Sequence, residues 1–326
     1  MIPVPSGRLK RPAEVVDNFK CAYGTRKVDQ RTPEFRSART ARGRLSPGGL
    51  RHSCTSEDAR AYMFGLCREI CLNLFSALPR RNFMIDIHCH ILPNVDDGPK
   101  SWEISQEMCR MAAEDGIEHI VATPHANERY KYDRQLLASE LEYLKGLVGP
   151  APKLSLGCDF HLSYENVQDV LITPERYTIE GSHYLLVELS NYSIPAQINE
   201  YFTRMADVGI TPIITHPERN PILQDSQDRV LQWVDQGCAV QVTASAVTGM
   251  WGQKAERVAE WLFERNAVHI LSTDAHDTKR RTPSLSVARD KIGKLYGHDV
   301  AKALVDDNPR AVINDRPLPY FPNPQM

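Results

Sequence analysis

"AAEDGIEHIVATPH", residues 112–125, holds a helix end, a tight turn and a strand, and it finishes on a histidine. Gly116 stands where the helix must stop, a position that favours the left-handed backbone glycine adopts at little cost. The run after it is short, apolar and β-branched, as a strand covered on both faces of a parallel sheet should be. The same phrase recurs in "MADVGITPIITHPE" (205–218) with Gly209, "WVDQGCAVQVTAS" (233–245) with Gly237, and "FERNAVHILSTDAH" (263–276) with Asn266 in the glycine's place. Helical spacing precedes the second of these caps, with Ile198, Phe202, Met205 and Val208 on one face. Strands near Lys153–Phe160 and His183–Leu189, and one in "MIDIHCHILPNVDDG" (84–98), bring the count to about seven β/α units. Alternation of this kind predicts a parallel sheet, open or closed into a barrel.

The polar residues then fall in one place. Each strand is apolar until its last residue or two and then delivers a side chain able to bind metal. These are His88 and His90, His125 in "TPH", Asp159 in "GCDFH", Glu188 in "VEL", His216 in "THPERN", and Asp274 and His276 in "STDAH"; Asp97 follows just past the first strand. Five of the chain's 11 histidines are in this set. The carboxyl ends of the strands form the active-site face of α/β sheets and barrels. Residues i and i+2 of a strand share a face, so His88 with His90, and Asp274 with His276, can each chelate a cation. A cation also satisfies polar groups that are costly to bury alone. The donors are all nitrogen or oxygen, which suits Mn²⁺, Fe²⁺ or Zn²⁺ and disfavours a cysteine-type structural zinc site. Any one of these histidines alone reads as a hydrogen-bonded core residue; together they predict a metal centre.

Composition narrows the class. The chain has 326 residues, a formal net charge of -2 and 25% charged residues, which gives no global reason to expect nucleic acid as a partner. No stretch approaches the roughly 20 apolar residues that span a bilayer. The eight cysteines show no paired spacing apart from Cys67 and Cys71, so a reduced, cytoplasmic setting is expected. Residues 1–52 carry 12 Lys or Arg against 4 Asp or Glu, with many Pro, Gly and Ser, which predicts disorder. Residues 1–83 are thus expected to be a basic extension of low order, with a short helix over 57–78, before a domain at 84–326. The extension reads as an appended or mis-started segment, Met84 standing directly before the first strand, or as a basic targeting or partner-binding arm. Within it, "CTSEDAR" (54–60) has the Cys-x5-Arg spacing of thiolate phosphatases. Glu57 and Asp58 would repel a phosphate there, which argues against a cysteine nucleophile.

The motifs "HCH", "DDGPKS", "TPH", "GCDFH", "VEL", "THPERN" and "STDAH" resemble, in order and spacing over residues 84–315, the PHP (polymerase and histidinol phosphatase) metal-dependent phosphoesterases. The likeness is nearest to the tyrosine-protein phosphatases of bacterial capsule and exopolysaccharide loci. That resemblance implies a distorted (β/α)7, TIM-like barrel with two to three divalent ions, commonly manganese. It implies that His88, His90 and Asp274 hold a first metal, that Asp159 bridges to a second completed by Glu188 and His216, and that Asp97, His125 and His276 hold a third. Arg219 in "PERN" and Arg281 in "KRRTP" match arginines expected to grip phosphate. The bridging position is often Glu in that family and is the shorter Asp159 here. The implied activity is a phosphoric monoester hydrolase of the protein-tyrosine-phosphatase type, with a phosphotyrosyl protein as substrate. A tyrosine kinase of polysaccharide export is the partner it suggests.

The chemistry also follows from the residues. Paired divalent ions acidify a bound water and clamp the oxygens of an in-line displacement, and guanidinium groups match phosphate oxygens in a bidentate way. Metal-assisted attack of water on a phosphomonoester is expected, with His161 or Asp277 as candidate general acids. Two other readings stand beside it. One is the same chemistry on a small metabolite such as histidinol phosphate, and the other a non-catalytic metal-binding module. Trp102, Trp233, Trp251 and Trp261 read as core packing, and "PLPYFPNPQM" (317–326) as an extended, Pro-rich end.

Overall fold

The computed structural model describes residues 83–325. The expectations for the basic extension, its helix over 57–78, Cys67, Cys71 and the Cys54–Arg60 motif lie outside the described residues.

The strands are β1 (Met84–Cys89), β2 (Ile117–Ala122), β3 (His125–Ala126), β4 (Lys153–Leu156), β5 (Asp159–His161), β6 (Tyr184–Glu188), β7 (Thr211–Thr215), β8 (Ala239–Thr243) and β9 (Ile270–Ser272). They pair in parallel throughout, in the orders β1-β2-β4 and β3-β5-β6-β7-β8-β9. Thr123–Pro124 separates β2 from β3, and Gly157–Cys158 separates β4 from β5, but pairing carries across both breaks. Gly157 N donates to Ala122 O at 2.8 Å and Asp159 N to Pro124 O at 3.2 Å. Counted as continuous, these pairs leave seven strand units, as the repeat predicts. The two ends of the order also meet: Asp274 N donates to His88 O and His90 N to Ala275 O, each at 2.8 Å, around a parallel bridge between Cys89 and Ala275. A seven-unit barrel needs such a seam.

The caps fall where the sequence puts them. Helix α1 (Trp102–Asp115) ends on Gly116 with φ 92°, and Gly209, Gly237 and Asn266 have φ of 80°, 95° and 57°. Before Gly209, helix α2 (Ile198–Asp207) buries Ile198, Tyr201, Phe202 and Met205. Val208 departs from expectation: it lies past the last helical turn and is 45% exposed. Side chains of alternate strand positions, among them Ile85, Ile87, Val121, Leu186, Ile213, Ala239 and Ile270, form a cluster of their own. A larger cluster joins the other strand faces to the helices. The contributions of both sheets to the smaller cluster are what a barrel interior requires. The C-terminal segment adopts neither helix nor strand and is held on the body of the domain, where Asn308 bonds both the N–H and the C=O of Tyr320.

Candidate metal centre

Every strand unit ends at one rim, and the nine residues singled out by the sequence come together there. Donor atoms lie within 4.8 Å of one another in four overlapping groups: His88, His90 and Asp274; His88, Asp159 and His216; His125, Asp159 and Glu188; and His90, Asp97, His125 and His276. The first grouping matches the set implied by the resemblance, and the last contains the third set with His90 added. Between them the pattern is more interleaved: His216 lies nearer His88 and Asp159, while Glu188 gathers with His125 and Asp159. His216 Nε2 and Glu188 Oε1 are 3.8 Å apart.

Asp86 does not join the group. Strand β1 shifts register between Asp86 and Cys89, and the Asp86 carboxylate accepts instead from His88 N at 3.3 Å and from the backbone N–H and hydroxyl of Thr273. It thereby ties the irregular end of β1 to the end of β9.

Backbone geometry aims two of the clustered donors. His216 and Asp274 both lie in the left-handed region, with φ of 36° and 51°. Non-glycine residues adopt that conformation at a cost of roughly 1–2 kcal/mol, and such strain concentrates at functional sites. Gly98 closes the loop over His90: a Cβ there would lie 2.8 Å from the His90 carbonyl oxygen.

The hydrogen bonds behind the ring of donors decide which atoms face its centre. His88 Nδ1 lies 2.9 Å from Gln241 Oε1, His90 Nδ1 2.7 Å from Asp96 Oδ2, and His276 Nδ1 3.0 Å from the Asp274 carbonyl. All three partners only accept, so each ring donates from Nδ1 and turns its Nε2 lone pair inward. The Nε2 atoms of His88 and His90 are then 3.4 Å apart. His276 Nε2 faces Asp97 Oδ1 at 3.2 Å and has no hydrogen-bond partner among the described residues. Asp159 is fully buried, and neither of its carboxylate oxygens has a hydrogen-bond partner among the described residues. Lone pairs facing lone pairs in a buried setting need positive charge between them. The protonation balance says the same. Burial opposes charge on His90 and His125, yet carboxylates outweigh it: Asp96 and Asp274 help push His90 up to about 9, and Asp159 and Asp97 push His125 up to about 12. Burial, aided by His90, drives His276 down to about 4, which keeps it neutral and able to ligate. The donor set fits hard or borderline divalent cations.

Two guanidiniums share one oxygen of this cluster. Arg219 Nη2 lies 2.5 Å and Arg281 Nη2 2.6 Å from Asp274 Oδ2, while Asp274 Oδ1 faces His88 and His90 Nε2 at 3.4 Å. Arg219 Nη1 and Arg281 Nε are buried and lack hydrogen-bond partners among the described residues. Both residues line the pocket in front of the cluster. The pocket in front has a volume of about 240 Å³ and is lined by Asp97, His125, Glu188, Asn191, His216, Arg219, Trp251, Asp274 and Arg281.

The two candidate acids separate. Asp277 spends its carboxylate on the backbone N–H groups of Lys279, Arg280 and Arg281. Slight burial raises its pKa, but these bonds outweigh that and lower it, so it is a turn cap. His161 stands at the rim, its Nδ1 3.7 Å from Glu188 Oε2.

The chain matches over residues 84–314 the family described as "Capsular polysaccharide synthesis, CpsB/CapC". It belongs to that family. It is 31% identical over 242 residues to the tyrosine-protein phosphatase CpsB of Streptococcus pneumoniae, covering 72% of this chain and 99% of that protein. To the putative tyrosine-protein phosphatase CapC of Staphylococcus aureus it is 33% identical over 228 residues, covering 68% and 88%. The fold is similar to a chain from the crystal structures of Bacillus subtilis YwqE and S. pneumoniae CpsB, described as unique metal-dependent tyrosine phosphatases. The TM-score is 0.70 and the identity 28%, over 74% of this chain and 98% of that one.

Three side chains at the centre of this CpsB/CapC domain escape sequence reasoning. Asp96 is masked by the adjacent Asp97, and only its position one residue nearer His90 hints at a supporting role. Gln241 sits mid-strand in β8, where an amide inside an apolar run is the available signal. Trp251 corrects the expectation of core packing: it is 38% exposed and lines the pocket. The other three tryptophans do pack, Trp233 fully buried and Trp102 and Trp261 against the core.

Proposed function

We propose that this chain is a metal-dependent phosphotyrosine phosphatase of polysaccharide synthesis, with residues 84–326 as the working domain. The observation that carries the reading is the set of inward-facing, partnerless donor atoms beside two arginines anchored on Asp274. His88, His90, Asp97, His125, Asp159, Glu188, His216, Asp274 and His276 would hold two to three divalent cations; the mixed imidazole and carboxylate set suits Mn²⁺, Fe²⁺ or Zn²⁺, and the family resemblance favours Mn²⁺. Bound there, such ions supply an acidified water and neutralise charge on the transferring phosphoryl group.

The chain's own residues do the rest. Arg219 and Arg281 bind the non-bridging phosphate oxygens through the donors that Asp274 leaves free. Asp274 fixes both guanidiniums before substrate arrives, so little reorganisation is needed. A tyrosyl leaving group, with a pKa near 10, needs modest help, and His161 is placed to carry a proton to it from the rim. The substrate is a phosphotyrosyl protein, and the family's locus makes a tyrosine kinase of polysaccharide export the favoured one. Cys89, Cys109, Cys158 and Cys238 are free and buried, which supports a reducing cytoplasmic compartment. Among the described residues no helix is long and apolar enough to cross a membrane.

The purified protein, assayed with Mn²⁺ on a phosphotyrosyl peptide and on histidinol phosphate, tests this directly. Expected are turnover of the peptide, loss of activity in EDTA with recovery on added Mn²⁺, and indifference to iodoacetamide. Preference for histidinol phosphate would move the substrate to a small metabolite. Metal binding without turnover of any phosphoester would make the domain a binding module.

A further inference from the structure

We propose that Trp251 is the residue that selects aryl over alkyl phosphomonoesters, an inference that rests on the phosphatase reading for its substrate class. The indole is fixed at three points. Its Nε1 donates to Ser245 Oγ at 2.8 Å, the Arg219 guanidinium lies over the ring at 4.3 Å from its centroid, and that of Arg281 lies at 5.5 Å. A tryptophan held so firmly yet 38% exposed is not filling core. Apart from the histidines, it is the sole aromatic among the described residues lining the metal-facing pocket.

Its place is a boundary. On one side is that pocket; on the other is a groove of about 280 Å³ lined by Met250, Trp251, Asp277, Arg280 and Arg281. Trp251 and Arg281 line both. A phosphate bound in the pocket that Arg219 and Arg281 line therefore has its ester substituent leaving past the part of the indole that the guanidiniums leave exposed. An aryl ring directly attached to the ester oxygen is flat and rigid and can stack there at ordinary aromatic distances, whereas an alkyl ester offers a thin chain with little area to cover. Ring stacking of this kind is worth roughly a three- to tenfold preference beyond simple burial. The groove past Trp251 then receives the polypeptide that carries the tyrosine.

The test uses non-hydrolysable probes, so that it does not depend on turnover. Binding of benzylphosphonate and propylphosphonate to the Mn²⁺-loaded protein is measured by calorimetry for wild type, Trp251→Phe and Trp251→Leu, with metal content determined for each. Wild type is expected to bind benzylphosphonate at least about fivefold more tightly than propylphosphonate. The preference should largely survive in Trp251→Phe and fall below about twofold in Trp251→Leu, with propylphosphonate binding unchanged. In turnover of a phosphotyrosyl peptide, Trp251→Leu should raise KM with kcat nearly constant, the mark of lost ground-state contact. Equal weakening of both probes in Trp251→Leu would show that the indole only props the arginines and would overturn the assignment. So would a wild type without aryl preference, a result that needs no variant to fold. Absence of phosphatase turnover with the aryl preference intact would instead overturn the reading of the function.

Discussion

Gln241 and Asp96 touch no substrate, yet they settle which nitrogen each histidine turns toward the centre. Gln241 Oε1 takes the Nδ1 proton of His88, and Asp96 Oδ2 that of His90. Loss of such supporting partners typically costs 10–100-fold in metal affinity. Gln241→Leu and Asp96→Asn should therefore each raise the Mn²⁺ dissociation constant by roughly that factor, read by competition with a metal chelator; unchanged affinity would show that the tautomers are set otherwise. Arg219 differs in kind. Its Nη2 bond to Asp274, made while the rest of the fork faces the pocket, needs a planar guanidinium, so Arg219→Lys keeps the charge and loses the geometry. The expected outcome is a fall in kcat/KM of about 100-fold on a phosphotyrosyl peptide, with metal content unaltered. A loss under threefold would remove Arg219 from the phosphate grip. The nine clustered donors were legible because their types are uncommon at strand ends, and the two arginines came only from the likeness of their motifs to a known family. Gln241 and Trp251 were not, since an amide in a strand and an indole beside a helix have ordinary packing roles far more often.

Strand ends and the loops leaving them convert these side chains into one cluster, and their backbone demands can be separated by substitution. At Gly209, φ is 80° and a Cβ would meet nothing within 4 Å. Gly209→Ala should cost only the left-handed backbone term, about 1 kcal/mol, and leave Mn²⁺ affinity untouched. At Gly98 the backbone is unremarkable but the space is not, because a Cβ would lie 2.8 Å from His90 O and 3.0 Å from Asp96 Oδ1. Gly98→Ala must push the β1–α1 loop outward, at a cost of about 2 kcal/mol, and carry Asp97 away from His125 and His276. Urea melts together with metal titration separate the two. If Gly98→Ala bound Mn²⁺ normally, Asp97 would not depend on that loop. Glycine after a helix was readable from its neighbours in sequence. The crowding at Gly98 was not, because it arises where the loop folds back over β1. The register shift that turns Asp86 to Thr273 hid for a similar reason: strict alternation puts Asp86, His88 and His90 on one face, and the bulge takes Asp86 off it.

The fold was legible because four copies of one helix–cap–strand phrase state the topology locally, and because parallel strands covered on both faces must be apolar until they end. The seam between β1 and the residues after β9 was not, since nothing local marks which distant strand His88 and His90 will meet. Burial across so much of the chain also leaves histidines with no part in the metal centre, and one of them makes stability depend on pH. His269, just before β9, is fully buried; its Nδ1 accepts from Val240 N at 3.1 Å and its ring lies 4.2 Å from that of Phe321. Burial lowers its pKa to about 3. The native state thus keeps His269 neutral while the unfolded chain takes up a proton below pH 6.5, so stability is retained above that value and lost as pH falls toward 3. At pH 5 the deficit relative to pH 7 from this group alone is about 2 kcal/mol. His269→Gln keeps an acceptor for Val240 without a titrating ring. It should be less stable than wild type at pH 7, and the gap should close by about 2 kcal/mol at pH 5 in urea melts of the metal-free protein. A gap of constant size would mean that His269 is protonated in the native state too, and that its burial is relieved by an acceptor for Nε2.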